Sequence, residues 1–331
     1  MQRWKLLLAA LFQLGLPMSA QADPLTEGRR IADLFLAGQV EAIWSASTQE
    51  MQQALGSPDD LAALRKSLLT ELGTEDEILS EKAETLADVE VFTRVSRWSG
   101  TSQPFEMVIS INGAGQIAGF WIRPQAVAVS TPHLDYQTKT DLRLPVRGEW
   151  FVFWGGRTIE ENYHAVDPGQ RFAIDLVIVR DGITHQGDPA SLEAYHCWEE
   201  PILAPSDGVV TLAIDGLPDQ AIGSRDAANP TGNLVVIDFG NGEYGFLAHL
   251  QQGSVRVSAG DQVKAGQEIG LCGNSGNSTE PHLHFHLQTT PELGAGEGLP
   301  AQFLNYQANG ARIERGEPVR GETIRSNEWR P

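Results

Sequence analysis

Cysteine is almost missing from this chain: among 331 residues only Cys197 and Cys272 occur. They do not form a Cys-x-x-Cys pair, so a metal site built from clustered thiolates is excluded. A single disulfide is allowed in an oxidising compartment, and two buried thiols are the other reading. Basic residues are also scarce. Twenty-four lysines and arginines face 43 aspartates and glutamates, for a formal net charge of −19. Nucleic acid needs clustered cations against its phosphates and is therefore not an expected partner. Long apolar runs are lacking after the first residues, so no later segment is expected to span a bilayer.

The exception lies at the start. Arg3 and Lys5 precede an apolar run from Leu6 to Leu16, and Ala20-Gln21-Ala22 supplies the small residues of a cleavage site, so residues 1–22 read as a secretory signal. Its removal leaves 309 residues and a charge of −21. No stable membrane span is expected after cleavage, and the location follows as periplasmic or secreted. A chain of this size favours two domains.

Residues 24–125 read as α+β. Ile31, Leu34 and Phe35, then Leu61, Leu64, Leu68 and Leu72, recur at helical spacing. Ser57 caps the second run, with Pro58 at its first position and Asp59 and Asp60 at its positive end. Alternating residues follow, Val89 to Val95 and Phe105 to Ile111, before the turn pair Asn112-Gly113. Residues 126–147 carry Pro132, Pro145 and short apolar pairs and read as a linker. From 148 to 310 short β-rich runs alternate with Gly, Asp, Asn and Pro, as an all-β antiparallel domain requires. Residues 311–331 read as a C-terminal tail.

Three of the eight histidines fall in Pro281-His282-Leu283-His284-Phe285-His286-Leu287. On a strand, alternate residues share a face, so His282, His284 and His286 project together, opposite Leu283, Phe285 and Leu287. Imidazole suits zinc and also carries protons, and a set of satisfied polar histidines is the plain alternative. Asp175, among Phe172, Ala173, Ile174, Leu176 and Val177, is either a solvent-facing strand residue or the buried partner of an ion.

Several further segments lie in order with this one. They are Ile202 to Val210, Gly245-Phe246-Leu247-Ala248-His249-Leu250, Gly260 to Gly270, Gly273-Asn274-Ser275-Gly276 and Ser278-Thr279-Glu280-Pro281-His282-Leu283-His284-Phe285. Over residues 150–290 this combination closely resembles the lysostaphin-type (LytM-like) zinc metallopeptidases. The resemblance implies a peptidoglycan endopeptidase with one zinc ion per chain, peptidoglycan peptides as substrate, metal ligands His164, Asp175 and His284, and catalytic histidines His249 and His282. His286 is implied as a support for the ligands or as polar packing.

The family's common form places the first ligand histidine four residues before the aspartate, where this chain has Arg171. His164 stands eleven residues ahead, and His185 or His196 are the substitutes. A lysostaphin-like domain that lacks its ligands would instead bind and activate another cell-wall hydrolase. Residues 24–125 resemble the nuclear-transport-factor-like domains of some exported proteins, with substrate binding, a regulatory protein partner or spacing as roles left open. Gly260 to Gly266 is also shared with biotin and lipoate carriers, but Lys264 sits inside the turn rather than on a presenting hairpin.

Overall fold

The computed structural model describes residues 23–86 and 89–327, so the expected signal lies outside the described residues. Two compact units meet at Gln125 and Ala126. No helix among the described residues is long and apolar enough to cross a membrane.

The first unit opens with four helices, α1 (Pro24–Leu36), α2 (Val40–Ala46), α3 (Gln49–Leu55) and α4 (Pro58–Leu72). The start of α4 is set by Ser57, whose hydroxyl accepts from the Asp60 N–H at 3.2 Å, satisfying one of the donors a helix start leaves unpaired. Strands β1 (Glu75–Leu86), β2 (Val89–Trp98), β3 (Phe105–Asn112) and β4 (Ile117–Pro124) make an antiparallel sheet in sequential order. Ile31, Phe35, Ile43 and Leu61 from the helices bury against Phe92, Met107, Ile109 and Ile117 of the sheet. The β3–β4 turn forms because the Asn112 side chain accepts from the backbone N–H groups of Ala114 and Gln116.

The second unit holds β5 (Glu149–Trp154), β6 (Ile174–Val177), β7 (Pro201–Leu203), β8 (Gly208–Ile214), β9 (Asn233–Asp238), β10 (Tyr244–Leu250), β11 (Gln262–Val263), β12 (Glu268–Leu271), β13 (Leu283–Gln288), β14 (Gly298–Leu299), β15 (Phe303–Ala308), β16 (Ala311–Gly316) and β17 (Thr323–Ser326). One antiparallel sheet runs β11-β8-β9-β10-β13-β6-β5-β17-β15-β16, with β14 beside β13, and β12 pairs with β7. Leu283, Phe285 and Leu287 of β13 enter the main core with Leu176, Val235, Leu247 and Phe303. The opposite face meets Leu234, Val236, Phe246 and Ala248.

Residues 126–147, read as a linker, instead belong to this unit. Leu142, Leu144 and Val146 alternate into its core, and the Arg143 and Leu304 N–H groups bond to the carbonyls of Pro205 and Leu142. Fully buried Glu243 fastens the same stretch: its carboxylate accepts from the backbone of Lys139 and Thr140 and from the Tyr136 hydroxyl. Residues 311–327 are likewise no loose tail, since β17 lies between β5 and β15 with Ile324 wholly buried.

Candidate metal centre

The centre forms where β13 lies between β6 and β10. The antiparallel register sets His284 opposite Asp175 on β6 and opposite Ala248 on β10. Between Leu247 and Leu250 the register with β9 shifts, and His249 takes the left-handed backbone conformation at φ 60°. This bulge turns the His249 ring toward its neighbours, 4.7 Å from His282 and 5.7 Å from His284 between ring centroids. His164 comes from a 3-10 turn, Tyr163–Val166, and its ring lies 4.9 Å from that of His284.

One ligand atom each from His164, Asp175 and His284 lies within 4.8 Å of the others, and all three residues are buried. Nε2 of His164 is 3.6 Å from Asp175 Oδ2, and Nδ1 of His284 is 2.9 Å from Asp175 Oδ1. His185 and His196 are outside the cluster; His185 instead bridges to Tyr195. Asp175 does not face solvent. Burial alone would raise its carboxyl, but His164, His282 and His284 around it hold it well below the usual carboxylate range.

Surrounding groups fix where the imidazole protons sit. Asn162 donates its amide N–H groups to the carbonyls of Gly156 and Ala173, so its oxygen must accept from His164 Nδ1 at 2.8 Å. That leaves the His164 Nε2 lone pair facing Asp175. Burial, the largest cause, lowers the His164 pKa to about 4, so its ring is neutral at ordinary pH. A second chain supports His284. Gln288 donates to the carbonyls of Thr290 and Glu292, so its oxygen accepts from His286. The His286 Nδ1 then accepts from His284 Nε2 at 2.9 Å, and His284 Nδ1 is left in hydrogen-bond contact with Asp175 Oδ1 at 2.9 Å. Two imidazole nitrogens and a carboxylate therefore converge. Such a donor set fits a divalent cation of the zinc type.

His249 and His282 stand beside this set. His249 Nδ1 donates to the Ser275 carbonyl at 2.8 Å and His282 Nδ1 to the Glu280 carbonyl at 2.9 Å. In each ring Nε2 is the nitrogen left without a backbone partner, and that of His282 lies 3.8 Å from Asp175 Oδ1. Burial and the adjacent His282 and His284 rings push His249 well below the ordinary imidazole pKa. His282 and Asp175 border a cleft of about 340 Å³ lined also by Trp154, Tyr163, Arg225, Asn277 and Glu280, among others. Of the loop residues that could meet a ligand, Asn277 faces the cleft, whereas Asn274 and Ser275 are buried in internal bonds to Gln220 and Leu250. Asn162, Gln288 and the cleft residues Trp154, Tyr163 and Arg225 carry no sequence signal of their own. Only Asn162 could have been found, as the residue two before the ligand His164.

The site is thus a buried His-Asp-His cluster with two further histidines beside it. Residues 194–293 match peptidase family M23, and the chain carries a domain of that family. The match contains His249, His282 and His284 and ends short of His164 and Asp175. The chain is 46% identical over 88 residues to the peptidoglycan DD-endopeptidase ShyA of Vibrio cholerae (26% of this chain, 17% of that protein). It is 34% identical over 134 residues to the DD-carboxypeptidase/endopeptidase Mpg of Neisseria meningitidis (36% and 27%). It is also 33% identical over 91 residues to the murein hydrolase activator EnvC of Escherichia coli (28% and 20%). The matched stretches thus span about a quarter or less of each relative's length. Among solved structures, the catalytic domain of lysostaphin from Staphylococcus simulans aligns at 22% identity, covering 46% of this chain and 89% of that one, with a TM-score of 0.29.

Proposed function

We propose that this protein is a zinc-dependent endopeptidase that hydrolyses peptide cross-links of bacterial peptidoglycan in the periplasm or outside the cell. The observation that carries this reading is the convergence of His164, Asp175 and His284 beside two histidines, His249 and His282, whose Nδ1 atoms are each held by a backbone carbonyl. His164, Asp175 and His284 would hold one zinc ion. When bound, the ion supplies Lewis acidity, which acidifies water to near neutrality and polarises an amide carbonyl.

The chain's own residues supply the rest. Asn162 and His286 hold the two ligand rings in the tautomers that present their lone pairs. His249 and His282 take the proton of the attacking water and return one to the leaving amine; whichever ring is protonated then donates to the developing oxyanion. The aromatic side chains of Trp154 and Tyr163 line the cleft where a peptide would lie and keep water from its ring-facing side. ShyA is named a peptidoglycan DD-endopeptidase and Mpg a DD-carboxypeptidase/endopeptidase, which supports the substrate.

The resemblance to the activator EnvC supports a second reading, a binding module that stimulates another hydrolase. The full His-Asp-His set with both histidines favours catalysis. The nuclear-transport-factor-like reading of the first unit makes that unit a place for a regulatory protein partner, and residues 1–22 the leader that exports the chain.

Digestion of purified sacculi separates the readings. Release of uncross-linked peptides is expected, abolished by a zinc chelator, restored by added zinc and absent in Asp175→Ala. A wild-type protein that binds no zinc and releases nothing would support the activator reading instead.

A further inference from the structure

Outside the metal centre, a pair of reactive side chains comes together. Cys197 and Cys272 are the chain's only cysteines, 75 positions apart, and both are buried. Backbone pairing joins their segments: the Cys272 N–H bonds to the Glu200 carbonyl at 2.8 Å and the Cys272 carbonyl accepts from Glu199 at 3.0 Å. Between Cys197 and these partners the chain reverses, with the Glu200 N–H bonded to the Cys197 carbonyl and Glu199 at φ 64°. The reversal returns the Cys197 side chain to Cys272, and both enter the same core cluster beside Ile202 and Leu250. Burial, followed by the contact with Cys197, holds the Cys272 thiol well above the ordinary range, so it stays protonated once folded.

We propose that Cys197 and Cys272 are a disulfide-forming site, closed while the domain folds by exchange with a disulfide donor such as a dithiol oxidase or oxidised glutathione. The two chain thiols and one donor disulfide become the Cys197–Cys272 bond and two donor thiols. The donor is reduced by two electrons, and the two thiol protons end on its sulfurs. Buried, un-ionised thiols are poor nucleophiles, so closure belongs to a stage before the core is sealed.

The location gives the bond a purpose independent of whether the domain is a peptidase. Cys272 begins the loop that walls the cleft through Asn277 and Glu280, and Cys197 already reaches the far end of that loop, its thiol donating to the Pro281 carbonyl at 2.9 Å. Closure gives up that weak donor and ties the beginning of the loop to the same point. A covalent link over 75 positions also removes much of the freedom of the unfolded chain.

The test is to refold the full chain in a glutathione redox buffer, alkylate it under denaturing, non-reducing conditions and weigh it. The expected mass is that of the chain less two hydrogens, with no alkyl group added, and a non-reduced digest yields the peptides of Cys197 and Cys272 joined. Two alkyl groups, or glutathione attached to either sulfur, would overturn the proposal. Thermal unfolding gives a second readout. Reductant is expected to lower the midpoint by roughly 10 °C while leaving a Cys197→Ala/Cys272→Ala variant unmoved, and equal wild-type midpoints would show that the bond does not hold the fold.

Discussion

At the scale of single residues, the centre is organised by side chains outside the His164, Asp175 and His284 set. Asn162 can orient His164 only because its amide N–H groups are already committed to carbonyls. His286 orients His284 in the same manner, with Gln288 behind it. His286→Ala is therefore expected to weaken zinc binding by about 10–100-fold, read by competition with a chromophoric chelator, while activity at saturating zinc returns most of the way. His282→Ala should behave in the opposite sense. Its zinc content should stay near one per chain while turnover falls by about 10²–10⁴, and loss of the metal along with turnover would move His282 into the ligand set. The face shared by His282, His284 and His286 was legible because a strand's two-residue period is written directly into the sequence. The supporting roles of Asn162 and Gln288 were not, since they depend on which donors are already spent in the fold.

At the scale of elements, register places the ligands. One residue of slip between β6 and β13 would take His284 away from Asp175 and turn it into the core. The loop that leads into β13 is held close to β10, and Gly273 shows how close: a Cβ there would lie 2.3 Å from the backbone N and Cα of Gln251. Gly273→Ala should cost about 1–3 kcal/mol through the forced shift of backbone, measured as a lowered denaturant midpoint, and it should blunt activity with all five site histidines and Asp175 intact. The strands Val89–Trp98 and Phe105–Asn112 were legible from the alternating residues Val89 to Val95 and Phe105 to Ile111. The inclusion of residues 126–147 and of β16 and β17 was not. Their apolar residues are too few to mark strands alone, and Leu142, Val146 and Ile324 are buried only because distant segments arrive to cover them.

At the scale of the molecule, most of the described chain is invested in a platform for a handful of acceptors. The proposed ligands His164, Asp175 and His284 come together only in the folded chain, so folding and metal binding should be linked. At zinc about 100-fold above its dissociation constant, the second unit should gain about 2.7 kcal/mol, seen as a melting transition that falls on chelation and recovers with zinc. Asp175→Ala should show one midpoint under both conditions.

The left-handed backbone of His249 has its own consequence for the whole. A side chain other than glycine held there costs about 1–2 kcal/mol, which the native fold tolerates in order to keep that imidazole beside His282 and His284. Asparagine accepts this conformation more readily, so His249→Asn is expected to leave the metal-free protein at least as stable as the parent while nearly silencing it. Selection for stability alone would discard His249, and its retention in a homologue serves as a test for whether that homologue still cuts.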